Sequence, residues 1–211
     1  MVFHFPSEHH NGGGWAHESK GGSRTSLDRT QAQNALDFLA AHDISHTRKA
    51  DQIQPGLYLG DLPAAKDILS IESKRISHVL SVCHVPDLTY PADLRIRHKH
   101  IDVDDARDED LLDHFKDCWR FIRDCLDEGG RILVHCEQGI SRSPTVVAAY
   151  LMRAERMHPV SALTYIKKFR PIIDPNPGFR AQLDVWGNCR GELAGQADYV
   201  EWKRKLEQRR R

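Results

Sequence analysis

A short apolar stretch that runs directly into a cysteine and a tight loop constrains the fold more than any other part of the sequence. Residues 131–135 follow Gly129-Gly130 and are predicted to form a buried strand, which delivers Cys136 into the loop. Pro144 suits the first turn of a helix, so the apolar pattern over 144–157 predicts a helix directly after the loop. Because further strands and helices alternate along the chain, we expect an α/β layer fold with its ligand site at the carboxyl ends of strands.

The remaining elements are predicted from apolar periodicity. Strands are expected over 52–60, around a Pro-Gly turn, and over 77–82 and 95–103, and helices over 62–72, 110–126, 160–169 and 179–188. We divide the chain into a leader over 1–50, an ordered domain over 51–190 and a basic helical tail over 191–211. The leader is expected to be flexible over its Gly- and His-rich part, 1–26, and to form a short amphipathic helix over 27–41.

Composition narrows the functional classes. Thirty basic residues balance thirty acidic ones, so the overall charge does not favour nucleic acid or an acidic surface as a partner. The five cysteines are an odd number without CxxC spacing, which disfavours a disulfide scaffold and a structural zinc site. We expect no membrane span and no secretion signal, and therefore a location in the cytoplasm, the nucleus or both.

The loop after the strand carries residues suited to phosphate chemistry. Its amides precede a helix N-terminus, where the macrodipole is positive, and Arg142 adds a planar guanidinium that can bind two phosphate oxygens. In the same field the thiol of Cys136 is expected to lose its proton, and a thiolate is a nucleophile. A cysteine six residues before an arginine therefore predicts phosphoryl transfer through a cysteinyl-phosphate. Neither a metal nor another cofactor is needed, because Arg142 and the loop amides stabilise the charge.

The residues of this loop resemble the signature of a known family. The pattern His135-Cys136-x-x-Gly139-x-x-Arg142-Ser143 resembles that of the cysteine-dependent protein tyrosine phosphatases, and the continuation through Pro144 is similar to the dual-specificity subgroup. Three further stretches agree, 55–60, 101–115 and 170–183, so the resemblance covers about 51–190. It implies a catalytic domain with a central, mostly parallel, twisted sheet of about five strands, flanked by helices.

The resemblance also implies roles for single residues. His135 orients the loop and tunes the cysteine, and the Ser143 hydroxyl bonds the Cys136 sulfur and eases breakdown of the phosphoenzyme. A cradle of backbone amides is expected to hold the phosphate. The residues of this cradle are Glu137, Gln138, Gly139, Ile140, Ser141 and Arg142.

The reaction also needs a proton donor for the leaving oxygen, and the acidic run over 102–110 contains the candidates. The family pattern places the acid six residues before the leucine that opens the next helix. Leu111 is that leucine, so the prediction is Asp105, with Asp104 as the alternative if the loop slips by one residue.

The lip of the predicted pocket favours a phosphoprotein substrate. It carries Glu137, Gln138 and Ile140 and has no lysine, whereas phosphatases for polyphosphorylated inositides tend to place lysines in this loop. The resemblance implies activity on phosphotyrosine, phosphoserine and phosphothreonine. Two alternatives stay open: the same chemistry on a phosphoinositide or an RNA 5′ end, and an inactive phosphate-binding adaptor.

Two features lie outside this chemistry. The basic run from Lys203 to Arg211 is predicted to be a charged helix end. The alternatives are a nuclear import patch and contact with nucleic acid or acidic lipid. Cys83 closes the strand over 77–82 at the same end of the sheet as Cys136, and some members of the family carry a resolving cysteine there. Cys83 is therefore a candidate redox partner of Cys136, or else a small buried residue.

Overall fold

The structure is a computed structural model that describes residues 49–210. Its strands are β1 (Asp51–Gln54), β2 (Leu57–Gly60), β3 (His78–Val82), β4 (Arg97–Ile101) and β5 (Ile132–His135). Its α-helices are α1 (Leu62–Lys66), α2 (Ile68–Ser73), α3 (Phe115–Asp127), α4 (Arg142–Ala154), α5 (Pro159–Lys167), α6 (Pro177–Asn188) and α7 (Ala197–Arg209). The predicted leader and the helix over 27–41 lie outside the described residues.

The five strands form one sheet in the order β1-β2-β5-β3-β4. Strands β1 and β2 are antiparallel, and the other neighbours are parallel, which confirms the expected mostly parallel sheet. The central position of β5 explains its sequence, because a strand with neighbours on both sides and helices on both faces is apolar throughout. All four residues of β5 are buried. Its carboxyl end, and therefore Cys136, lies in the middle of the sheet edge.

Alternate residues of the central strands enter two separate apolar clusters. Val134 packs on the side that contains α4, which is buried continuously from Arg142 to Met152. Leu133 packs on the opposite side with Ala65 and Ile71 of the two short helices. Each fully buried Leu, Ile or Val contributes about 1.5–3 kcal/mol, so both layers hold β5 in place.

Three helix boundaries differ from the predicted ones. The predicted helix over 62–72 is two helices, because the Asp67 side chain accepts a hydrogen bond from the Ser70 amide and caps a new helix. The helix predicted over 110–126 begins as a 3-10 turn, Leu112–His114, before α3. Helix α4 begins at Arg142, two residues before the predicted proline, so the arginine belongs to its first turn.

Within residues 49–210, no helix is long and apolar enough to cross a membrane.

Candidate active site

The loop between β5 and α4 has its carbonyls turned outward. Five successive carbonyls, from residues 137 to 141, accept hydrogen bonds from groups outside the loop. The pairs are the Leu62 amide with Glu137 (3.0 Å), the Arg170 side chain with Gln138 (3.2 Å) and Gly139 (2.9 Å), the Asp174 amide with Ile140 (2.8 Å), and the Thr145 amide with Ser141 (3.1 Å). The opposite side of each peptide carries the N–H groups, so the loop presents donors to the cysteine, as an anion cradle requires.

The sulfur of Cys136 lies inside this ring of donors. It accepts hydrogen bonds from the Gly139 amide and from the Ser143 hydroxyl, each at 3.2 Å. Hydrogen bonds to the charged form stabilise a thiolate. The close turn needs glycine: Gly139 has φ +67°, and a Cβ there would lie 2.5 Å from the Gly60 carbonyl oxygen.

A hydrogen-bonded chain of two histidines and a serine supports the cysteine from behind. The fully buried His135 contacts the Cys136 carbonyl through Nδ1 (3.2 Å) and the Ser81 hydroxyl through Nε2 (2.6 Å). A carbonyl only accepts, so Nδ1 carries the proton and Nε2 accepts from Ser81, whose oxygen in turn accepts from His98 Nε2 at 2.7 Å. Burial lowers the pKa of His135 to about 4, which keeps this ring neutral at pH 7. Neither Ser81 nor His98 was predicted from the sequence.

Arg142 lies under the loop with its guanidinium almost fully buried. Its Nη1 donates to the Val103 carbonyl (3.2 Å) and its Nη2 to the Glu137 carboxylate (3.1 Å). Its Nε is buried and has no hydrogen-bond partner within the described residues. Burial opposes the charge, but Cys136 and Glu137 outweigh it, so the pKa of Arg142 lies above its ordinary value. A donor of this kind, fixed beside the sulfur, suits a phosphate oxygen.

Asp105 lies beside Ser141 and Arg142 at the end of the loop. Its Oδ1 accepts hydrogen bonds from the Ser141 hydroxyl (2.7 Å) and the Asn176 side-chain amide (2.8 Å), and its Oδ2 lies 3.8 Å from Arg142 Nε. Since Oδ1 already accepts two donors, Oδ2 is the oxygen available to carry a proton toward a substrate. Asp104 and Asp105 both lie at the surface, and it is Asp105 that contacts Ser141 and Asn176. The geometry therefore favours Asp105, and its role as the acid stays a prediction.

Helix α6 holds the stretch that begins with Asp105, residues 105–113, which we call the acid segment. The buried Gln182 side chain accepts from the amides of Leu111 (2.9 Å) and Leu112 (2.7 Å) and donates to the Glu109 carbonyl (2.7 Å). The backbone also approaches closely, since a Cβ on Gly178 would lie 1.9 Å from the Arg107 carbonyl oxygen. These contacts fix the position of Asp105 from one side.

Arg170 supports the loop and was not predicted to have a role. Its side chain is fully buried, bonds the Gln138 and Gly139 carbonyls, and pairs with Asp51 at 2.8 Å. A charge this deep is stable only with such partners. The sequence offered little signal, because Arg170 follows the predicted helix over 160–169 and an arginine there is expected to be exposed.

Comparison with known proteins agrees with this geometry. The sequence model of the family described as "Dual specificity phosphatase, catalytic domain" matches residues 57–189. The chain belongs to this family. Mouse dual specificity protein phosphatase 15 is 39% identical over 158 residues, which are 75% of this chain and 63% of the mouse protein. Zebrafish dual specificity protein phosphatase 22-A is 35% identical over 159 residues, 73% of this chain and 70% of that protein.

A solved structure of the family has the same fold. The crystal structure of DUSP15 superposes with a TM-score of 0.62 at 37% identity, covering 75% of this chain and 94% of that one. The chain therefore spans nearly all of that crystallised domain but less than two thirds of the length of the mouse protein.

Replacing the predicted general acid is expected to slow the hydrolysis of substrates with poor leaving groups most. In Asp105→Asn the site keeps the shape of Asp105 but has no proton to transfer, so hydrolysis of phenyl phosphate is expected to fall about 10²-fold. A strongly activated aryl phosphate, whose leaving oxygen needs no proton, is expected to fall much less. Steady-state rates on the two substrates test this, with Asp104→Asn as the matched control. An equal loss on both substrates would reject Asp105 as the acid.

Cys83 lies in the same apolar cluster as Cys136, and both thiols are buried. Burial first, and the neighbouring Cys136 second, raise the pKa of Cys83 to about 12. The Cys83 thiol is therefore uncharged at pH 7 and does not compete as a nucleophile in the ground state.

Mild peroxide is expected to link the two cysteines. Peroxide oxidises the Cys136 sulfur to a sulfenic acid. The Cys83 sulfur then displaces the sulfenic hydroxyl group, which leaves as water with the proton of the Cys83 thiol, and the resulting disulfide is reduced by thiols. Non-reducing peptide mapping is expected to find this pair, with activity restored by thiol, and Cys118→Ser serves as the buried-cysteine control. The hypothesis is wrong if Cys83→Ser recovers from peroxide as fully as the wild type.

Proposed function

We propose that this protein is a protein phosphatase that hydrolyses phosphotyrosine, phosphoserine and phosphothreonine through a cysteinyl-phosphate. One observation carries the proposal: the Cys136 sulfur accepts from the Gly139 amide and the Ser143 hydroxyl inside a loop whose carbonyls all turn outward. Named dual specificity protein phosphatases among the relatives support it.

The first half-reaction forms the phosphoenzyme. The Cys136 thiolate attacks phosphorus while the loop amides and the Arg142 guanidinium bind the other phosphate oxygens. The bond from phosphorus to the leaving oxygen breaks, and Asp105 Oδ2 gives that oxygen its proton. Ser141 holds the acid in place. Its hydroxyl oxygen accepts a hydrogen bond from the Asn176 backbone amide (3.1 Å), so its own proton is directed to Asp105 Oδ1.

The second half-reaction reverses these roles. The Asp105 carboxylate takes a proton from a water molecule, whose oxygen attacks the phosphocysteine. The phosphorus–sulfur bond breaks and the electron pair returns to Cys136. The Ser143 hydroxyl stabilises the departing thiolate by the hydrogen bond that it already makes at 3.2 Å. No step calls for a group beyond these side chains, the loop amides and water.

The rim of the site supports a protein substrate over a polyphosphate. The Glu137 carboxylate is more than half exposed, with 56% of its side-chain surface accessible, and pairs with Arg142. An exposed negative charge at the phosphate-binding lip repels additional phosphates of an inositide or an RNA 5′ end. The adaptor alternative is disfavoured because Cys136, Arg142 and Asp105 are all present, and Arg142 interacts electrostatically with both of the others.

Partners and location are proposals of the same kind. A phosphoprotein is the proposed substrate, and the cytoplasm, the nucleus or both are the proposed location, which imaging of a fluorescent fusion tests. Contact of the basic tail with nucleic acid is disfavoured, because Lys203 and Arg210 already pair with acidic side chains or carbonyls of the acid segment.

A substrate panel tests the proposed specificity. The wild-type protein is assayed for phosphate release from phosphotyrosine and phosphothreonine peptides, inositides and RNA 5′ ends. We expect the peptides to have the highest kcat/KM. Faster release from inositide or RNA would replace the protein substrate while keeping the chemistry. Stable phosphate binding without release from any substrate, including an aryl phosphate, would indicate an adaptor.

A further inference from the structure

We infer that helix α7 is a strap that holds the acid segment against α6, and that Lys203 and Arg210 are positioning residues for Asp105. The inference rests on the proposed phosphatase function for its catalytic consequence. The family match ends at residue 189, and α7 begins at Ala197, so the strap lies outside the matched catalytic domain.

Lys203 contacts two carboxylates at the end of the acid segment. Its ammonium contacts the carboxylates of both Asp110 and Asp113, the latter at 2.6 Å. Only 32% of the Lys203 side chain and 14% of the Asp110 side chain are exposed, so these contacts are partly shielded from solvent. Burial opposes the charge of Lys203, but the two carboxylates outweigh it and raise its pKa. One cation therefore neutralises two like charges that would otherwise repel each other.

Arg210 reaches a point closer to the proposed acid. Its Nε and Nη2 both donate to the Asp108 carbonyl, at 3.1 and 2.9 Å, three residues after Asp105. Its guanidinium also lies 4.0 Å from the Glu109 carboxylate. A two-pronged contact to one backbone oxygen fixes the peptide plane, which a single bond from a lysine does not do.

Further contacts seat the helix itself. Leu206 is buried at 5% exposure, and the Tyr199 hydroxyl donates to Asp113 at 2.7 Å. At the start of α7, Asp198 accepts from the Asn188 side chain at 2.7 Å, which ties the strap to the end of α6. The helix is therefore packed against the domain and not attached by charge alone.

The acid segment is consequently held from two sides. Gln182 of α6 and Asn176, which caps α6, bond its backbone, and α7 binds two of its carboxylates and the Asp108 carbonyl. Loss of the α7 contacts leaves the α6 contacts in place, so the segment is expected to become more mobile without unfolding. Because proton transfer requires Asp105 at hydrogen-bond distance from the leaving oxygen, this mobility lowers kcat where a proton is needed.

Kinetic measurements on variants that remove the charges of Lys203 and Arg210 test the inference. The double variant Lys203→Gln/Arg210→Gln is expected to lose about five- to tenfold in kcat on phenyl phosphate, with KM and the rate on a strongly activated aryl phosphate nearly unchanged. The conservative variant Lys203→Arg/Arg210→Lys is expected to recover only part of the lost kcat. An arginine at 203 keeps the charge that pairs with the two carboxylates, whereas a lysine at 210 cannot make the two-pronged contact. The matched control is Lys205→Gln, an exposed cation on the same helix that pairs with Glu201, and we expect it to behave as wild type.

A second measurement does not depend on turnover. Arg107 is an exposed trypsin site inside the acid segment. Cleavage after Arg107 is expected to be several times faster in the double variant than in the wild type or Lys205→Gln. Unchanged cleavage, or an equal loss of rate on both aryl phosphates, overturns the inference. A third outcome separates the two claims. If the wild-type protein is inactive, but trypsin still cleaves after Arg107 faster in the double variant, the proposed function is wrong and the strap is supported.

Discussion

Cys136→Ser is expected to lower aryl phosphate hydrolysis by more than about 10⁴-fold, the scale at which enzymes lose an essential nucleophile. Serine has nearly the same size, so the loop can keep the hydrogen bonds from the Gly139 amide and the Ser143 hydroxyl. A serine hydroxyl, however, is not ionised in the field that stabilises a thiolate. Circular dichroism and retained binding of inorganic phosphate establish that the variant is folded.

Cys189→Ser is the matched control for this experiment, because Cys189 is a buried thiol that follows α6 and lies outside the site. It is expected to keep wild-type activity. Comparable hydrolysis by Cys136→Ser and the wild type would contradict the assignment of the nucleophile.

Arg142→Lys is expected to lose about 10²–10³-fold in turnover, the effect of removing one preorganised donor from a developing anion. Lysine keeps the charge but cannot place two parallel N–H groups on one phosphate. Its ammonium also cannot reproduce the bonds to both the Val103 carbonyl and Glu137. Inhibition by vanadate and phosphate is expected to weaken together with turnover.

The control for Arg142→Lys is another arginine of the same helix. Arg153 stacks on Trp119 at 4.1 Å and bonds the Gly191 carbonyl, away from the loop. Arg153→Lys is expected to leave phosphate inhibition unchanged. Near-normal vanadate inhibition in Arg142→Lys would contradict a two-pronged contact to phosphate.

The chemical core of the site was predictable from the sequence because it is local. The strand, the cysteine, the glycine and the arginine lie within eleven residues of one another, and each obeys a rule of backbone or helix geometry. Asp105 required the resemblance to the family, whose pattern places the acid six residues before the leucine at position 111. The structure places it beside Ser141 and Asn176.

The supporting residues were not predictable because their partners are remote in sequence. Arg170 bonds carbonyls 31 and 32 residues before it, and Ser81 bonds a histidine 54 residues after it. Periodicity reads only neighbours along the chain, so it treats a buried arginine as exposed and a buried serine as one polar interruption of a strand. Periodicity also missed the end of the first helix at Asp67. The Asp67 side chain caps a new helix there, and this cap competes with continuation of the helix before it.

The tail shows what charge alone leaves open. The basic residues from Lys203 onward indicated only a charged helix end or an acidic ligand. Lys203 finds its acidic partners 90 and 93 residues earlier, in the segment that follows the proposed general acid. A basic run and an acidic run in one chain can therefore pair with each other. The chain as a whole has equal numbers of basic and acidic residues.

Direct detection of the phosphoenzyme tests the central claim. Wild-type protein is mixed with a labelled aryl phosphate, quenched in acid within the first turnover and digested, and the peptides are analysed by mass spectrometry. We predict phosphate bound covalently to Cys136, and no labelled peptide from Cys136→Ser treated in the same way. Label on another residue, or full turnover with no covalent phosphate at any quench time, would contradict a cysteinyl-phosphate mechanism.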